Sequence, residues 1–185
     1  MTLGVVLALV FALGWVPLYV FRVESVGRVL PTYDRTERRW VRLSVAILTA
    51  HNSAACMAVS TAPAIPLWFA VLGLVAFAAG VGFWFWGRAL IGPLRVRRLP
   101  NEAPTRLRRE GPFRLVRNPL YLGVLVAAGA PVVVARRGFL GLSLALCAVA
   151  LAVRAVQEER RLRAQLGAPY DAYSRHVKRL VPFVW

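Results

Sequence analysis

Residues 3–21, LGVVLALVFALGWVPLYVF, run without a single charge for the length of a membrane span. A helix needs about 20 apolar residues to cross the hydrocarbon core of a bilayer, where no water is present to satisfy its backbone. Further apolar runs follow at 43–62, 67–86, 120–135 and 139–153. With 58% hydrophobic residues and a mean hydropathy of +0.58, the chain is too apolar for a soluble protein of its size. The expected fold is an all-α integral membrane protein of about five transmembrane helices, built as a single domain over residues 1–185. Only Met1 and Thr2 precede the first run, so the basic n-region of a signal peptide is missing and a retained span is expected. Pro17 should kink that span.

Charge is confined to the segments between the runs. Six arginines fall in 22–42, nine in 88–117, and more in 154–180, whereas the turn at 60–66 carries no charge. The positive-inside rule then places the N-terminus outside and all three basic segments in the cytoplasm, with Arg136-Arg137 a small exception on the far side. The expected location is the plasma (inner) membrane of a bacterium. A net charge of +16 suggests nucleic acid at first, yet only one of the 24 basic residues is a lysine (Lys178), and no zinc-finger spacing, RNA-binding motif or separate basic domain is present. Membrane lipids are the expected partners of this charge, and nucleic acid is not. Cys56 and Cys147 lie inside apolar runs and read as small hydrophobes, without a disulfide framework or a metal site.

Within the spans, His51-Asn52 interrupts the second run near its middle, as an interhelical hydrogen-bonding pair or as the lining of a substrate tunnel. Phe83-Trp84-Phe85-Trp86 ends the third as an interfacial aromatic belt, or lines an entrance for a lipid tail. The fourth and fifth runs are short for full crossings, so a tight hairpin reaching partway is an alternative to two spans. Gly123 and Gly129 suit close helix packing. Beyond Arg154 the last helix should continue as a soluble amphipathic stretch to Leu166, stopped by Gly167-Ala168-Pro169.

Between the third and fourth runs stands GPFRLVRNPLYLG, residues 111–123. Asn118 is a suitable N-cap, and Pro119 suits the first helical position. Free N–H groups there, beside Arg114 and Arg117, would attract an anionic group; the plainer alternative is a basic membrane boundary. The hairpin of the fourth and fifth runs brings Asn118 and Arg154 to the same side of the membrane. Arg154 and Glu158, four apart, share a helix face that Arg161 continues. Such residues can form a surface ion pair of small worth, yet Glu158 and Glu159 are two of only eight acids.

The pattern Gly-Pro-aromatic-Arg-x-x-Arg-Asn-Pro-x-Tyr-x-Gly resembles the signature of the isoprenylcysteine carboxyl methyltransferase family and its phospholipid methyltransferase relatives. These are small integral-membrane enzymes that use S-adenosylmethionine. A second block, Arg154, Glu158-Glu159, Gly167, Tyr170, Tyr173 and Val181-Pro182, is similar to the family's C-terminal pattern; the two blocks cover about residues 88–185. The resemblance implies a cytoplasmic cofactor pocket formed by the 88–118 segment with the C-terminal helix and tail. It implies cofactor contacts at Thr105, Arg106, Leu107, Arg108, Phe113, Asn118, Pro119, Leu120, Tyr121 and Glu158, and substrate binding by Arg154. Arg117 and Glu159 lie beside these. Asn118 stands where eukaryotic members have His, Phe113 replaces a Tyr, and Thr105 replaces another His.

In that setting Glu158 would face the cofactor's ammonium or sulfonium, and the arginines its carboxylate. Tyr121 would pack on the adenine or sit at the membrane interface. Arg154 and Glu158 are the expected catalytic residues. The only plausible bases nearby are Glu158, Glu159 and His176, which favours a carboxylate or thiolate acceptor that needs no proton removed. The expected substrate is a lipophilic small molecule or lipid-linked group. Competing readings are a phospholipid N-methyltransferase, a sterol-type membrane reductase using a nicotinamide cofactor, and a non-catalytic membrane protein. The oligomeric state is open.

Overall fold

The computed structural model describes residues 2–29, 34–91, 107 and 109–182, with the backbone alone for 19–29. Among the described residues six helices follow in order: α1 (Leu3–Val29), α2 (Arg35–Ser60), α3 (Leu67–Ile91), α4 (Pro119–Ala135), α5 (Gly138–Leu166) and α6 (Ala168–His176). A 3-10 turn at Gly111–Arg114 precedes α4. Among the described residues the one extended pairing is an isolated parallel bridge between Val116 and Lys178. The fold is all-helical.

Helices α2, α3 and α5 are long and apolar enough to cross a membrane, while Leu3–Leu18 and α4 are shorter apolar helices. At 1.5 Å per residue the 17 residues of α4 reach roughly 25 Å, short of a hydrocarbon core of about 30 Å.

The helices run further into the basic segments than the apolar runs do. Much of 22–42, expected as a loop, is helical: α1 continues to Val29, and α2 begins at Arg35 instead of Leu43. A capping box sets that start. Asp34 Oδ1 accepts the Glu37 N–H at 2.7 Å, and Glu37 Oε2 accepts the Asp34 N–H at 3.1 Å. Arginine is a good helix former and supplies Arg35, Arg38, Arg39 and Arg42 of the first two turns of α2. Helix α3 likewise passes Trp86 and reaches Ile91.

Helices α3 and α4 meet backbone to backbone. Gly73, Gly80 and Gly87 fall seven apart on one face of α3, against Val134, Ala127 with Gly123, and Pro119 in turn. A Cβ at Gly80 would lie 2.5 Å from the Ala127 nitrogen and 2.7 Å from the Gly123 carbonyl oxygen. Gly123 thus packs closely as expected, but Gly129 does not, because a Cβ there would make only an ordinary 3.6 Å contact with Leu144. His51 joins α2 to both arms of the α4–α5 hairpin, with Nδ1 2.7 Å from Ser143 Oγ and Nε2 3.0 Å from the Ala128 carbonyl oxygen. Neighbouring Asn52 is buried and has no hydrogen-bond partner among the described residues.

The two ends of the bundle differ in charge. Where α1, α3 and α5 begin, Arg136 and Arg137 are the charged side chains among the described residues. Arg136, at a left-handed φ of 51°, holds its guanidinium 4.7 Å from the centre of the Phe69 ring. All seven described acids except Glu24, whose side chain lies outside the description, sit at the opposite end with the other described arginine side chains. There α5 continues to Leu166 and stops at Gly167, φ +56°, as its sequence predicts.

Candidate functional site

The charged end is assembled by a strap. Gly111, at φ +56°, turns the chain over Trp86 and Leu90 at the end of α3; a Cβ there would lie 2.5 Å from Leu90 Cδ1. Residues 109–118 are then tied to α6 and the tail beyond it. Tyr173 Oη donates to the Phe113 carbonyl at 2.6 Å, and Arg109 Nη2 to that of Pro169 at 2.8 Å. Arg117 Nη1 donates to Ser174 O at 3.1 Å. The backbone N–H groups of Arg117 and Asn118 donate to Lys178 O and Arg179 O, at 2.8 and 3.0 Å.

Glu159 lies at the centre of this assembly and is 4% exposed. It continues the buried line Cys147, Leu151, Ala155 down α5 at a spacing of four. Its Oε1 accepts from Asn118 Nδ2 at 3.2 Å and lies 3.3 Å from Arg117 Nε, while Oε2 accepts from Arg179 Nε at 3.0 Å. Asn118 therefore does not cap α4 with its side chain. Its amide points the other way, donating to Glu159 and to Arg179 O. The anion site expected at this helix start is correspondingly reduced. Pro119 has no N–H, and those of Tyr121 and Leu122 go to the Asn118 carbonyl, which leaves Leu120 at most.

Two tyrosines of α6 line the same region. Burial, followed by the Glu159 charge, pushes the Tyr170 hydroxyl well above its ordinary range, and it has no hydrogen-bond partner among the described residues. Burial pushes Tyr173 up to about 12, against the lowering influence of Arg117.

Glu158, one position earlier than Glu159, faces outward. Its Oε2 accepts from Tyr121 Oη at 2.8 Å, and Arg154 Nη2 donates to the same Tyr121 oxygen at 3.3 Å. Beside this chain is a shallow, open cleft of about 10 Å³, lined by Glu37, Arg154, Gln157, Glu158 and Arg161. Arg161 reaches across it to α2, donating through Nε to Glu37 Oε1 at 2.8 Å and through Nη2 to Glu37 Oε2. Among the described residues no group of three or more His, Cys, Asp or Glu could hold a metal ion.

The expected site residues thus fall in two groups. Arg117, Asn118 and Glu159 meet in the buried cluster; Tyr121, Arg154 and Glu158 meet at the cleft. Pro119 is buried with its ring against Gly87, and Leu107, Phe113 and Leu120 are half-buried nearby. Thr105, Arg106 and Arg108 lie outside the described residues, as does 92–104 of the expected pocket segment. Sequence reasoning missed Glu37 and Arg179. The first had a signal: it stands four residues before buried Val41, on the face that carries Ser44 and Leu48 into the core. No protein-family model and no curated protein sequence matches the chain.

Proposed function

We propose that the chain is an S-adenosylmethionine-dependent methyltransferase that crosses the membrane five times and methylates a lipophilic acceptor. The N-terminus lies outside and the cleft faces the cytoplasm, in accord with the positive-inside rule, because the end beside the cleft carries nearly all the arginines. The observation that carries this reading is the meeting of the two sequence blocks: Tyr121 of the first accepts from Arg154 and donates to Glu158 of the second, at the edge of one cleft.

The donor set suits the amino-acid end of the cofactor. Glu158 offers a carboxylate to its ammonium or sulfonium. At rest the cleft has room for little more than one water, about 10 Å³, so the cofactor would enter by parting the side chains that line it. When bound, the cofactor supplies an electrophilic methyl group on a sulfonium.

The chain's own residues position and desolvate. Tyr121 fixes the orientation of Glu158, while Glu159 with Arg117, Asn118 and Arg179 holds the strap that borders the site. Arg154, 8% exposed at the membrane end of the cleft, is placed to orient an acceptor arriving from the bilayer. A carboxylate or thiolate acceptor would react with no base; an amine acceptor would require Glu158 to take its proton.

Calorimetric titration of the detergent-solubilised protein with S-adenosylmethionine tests this, alongside Glu158→Ala. Binding by the wild type, lost in a variant that melts at an unchanged temperature, is the expected result. A folded wild type that takes up no S-adenosylmethionine refutes it.

A further inference from the structure

Glu158 stands between two arginines of its own helix, Arg154 four residues before it and Arg161 three residues after. Both spacings allow direct pairing on a helix surface. Neither pair forms: among the described residues Glu158 accepts from the Tyr121 hydroxyl alone. Arg154 is turned to that same hydroxyl. Arg161 is drawn away across the cleft by Glu37, which engages both its Nε and its Nη2. Glu37 is itself fixed, since Oε2 also accepts the Asp34 N–H within the capping box that starts α2.

We infer that Glu37, outside both sequence blocks, is a positioning residue for the cleft: by holding Arg161 it keeps the Glu158 carboxylate available to a cationic ligand. The inference rests on the proposed cofactor reading for its consequence in binding, though not for its effect on Glu158 itself. Among the described residues Glu158 lines the same cleft as Arg161, three residues back on the helix, a spacing that allows pairing once the Glu37 charge is gone. The new pair would then compete with the ligand for that carboxylate. Removing Arg161 as well removes the competitor, so the second substitution should cure the first. A mere staple between α2 and α5 behaves differently, because losing either partner or both breaks the same bond.

The experiment compares wild type, Glu37→Gln, Arg161→Gln and the double variant in detergent. The ligand-free protein is labelled with a water-soluble carbodiimide and an amine tag, and tagging of Glu158 is followed by peptide mass spectrometry. Titration with S-adenosylmethionine gives Kd for each. Glu37→Gln should slow Glu158 tagging and weaken Kd roughly fivefold, the worth of an exposed ion pair. The double variant should recover most of that loss on both measures, because the competing guanidinium is gone, and Arg161→Gln alone should not slow Glu158 tagging. Glu37→Asp keeps the charge and the cap. It should give a smaller loss that Arg161→Gln also cures, and it serves if Glu37→Gln does not fold. Equal losses in the two single variants and the double variant, or no change in Glu37→Gln, overturn the inference. If the wild type binds no S-adenosylmethionine, the functional reading falls while the tagging pattern still decides the role of Glu37.

Discussion

Glu159→Gln removes one charge from the centre of the arginine-rich end while keeping the shape of the side chain. Two guanidiniums share that charge, Arg117 at 3.3 Å and Arg179 at 3.0 Å, with side chains 11% and 24% exposed. Removing one partner of a buried pair costs about 3–5 kcal/mol, because the remaining charge is left uncompensated away from water. Arg179 is near enough to the surface to turn outward, which places the expected cost at about 3 kcal/mol. A chain of this size loses roughly 2–4 °C per kcal/mol, so the melting midpoint should fall by roughly 6–12 °C. Buried Cys147 provides the assay: in a Cys56→Ser background, a thiol-reactive fluorophore reports its exposure as the detergent-solubilised protein is heated. Glu158→Gln is the control. It alters one hydrogen bond at an exposed site and should shift the midpoint by less than about 4 °C. Adding Arg117→Gln to Glu159→Gln should restore part of the loss, since the more deeply buried cation is then gone. Equal shifts for Glu158→Gln and Glu159→Gln would refute the reasoning.

Three further outcomes follow from the packing. Gly80→Ala forces a methyl against backbone on α4 and should cost about 1–3 kcal/mol in the same melting assay. Gly82→Ala meets nothing within 4 Å and should be neutral or stabilising. His51→Leu gives up bonds to Ser143 and Ala128 inside the bundle and should lose about 1–3 kcal/mol; a melting point equal to wild type would contradict the interhelical role. Tyr173 stays protonated in the folded state up to about pH 12, against 10 for its ordinary value, so the unfolded chain ionises first. Its contribution is full below about pH 10 and declines toward pH 12, and Tyr173→Phe should flatten that part of a plot of melting temperature against pH.

The apolar runs marked the helices well because spanning segments must be long, uncharged and internally hydrogen-bonded. Their ends were less legible. Arginine-rich residues 22–29 and 35–42 read as loop on polarity, although Asp34 and Glu37 spell a capping box whose spacing announces the start of α2. The C-terminal stop at Gly167 and the return of α5 to the side of Asn118 were visible from stop residues and hairpin geometry. Which of Glu158 and Glu159 turns inward was not. Adjacent helical residues point about 100° apart, and the rotation of α5 is set by what Leu140, Cys147 and Leu151 pack against. Asn118 has the right residue type for a cap, yet a buried carboxylate outcompeted the helix N–H groups for its amide. The glycines of α3 were in plain view, but only the facing helix shows that their seven-residue period is a contact line.

That contact line locks one helix pair. At Gly80 a shift of α3 along α4 drives backbone into backbone, while above and below it the Val134 and Pro119 side chains seat on Gly73 and Gly87. The α2–α5 seam is held differently, by buried His51 with Ser143 inside the bundle and by the longer arms of Glu37 and Arg161 at the charged end, so a separation of these two helices would begin at that end.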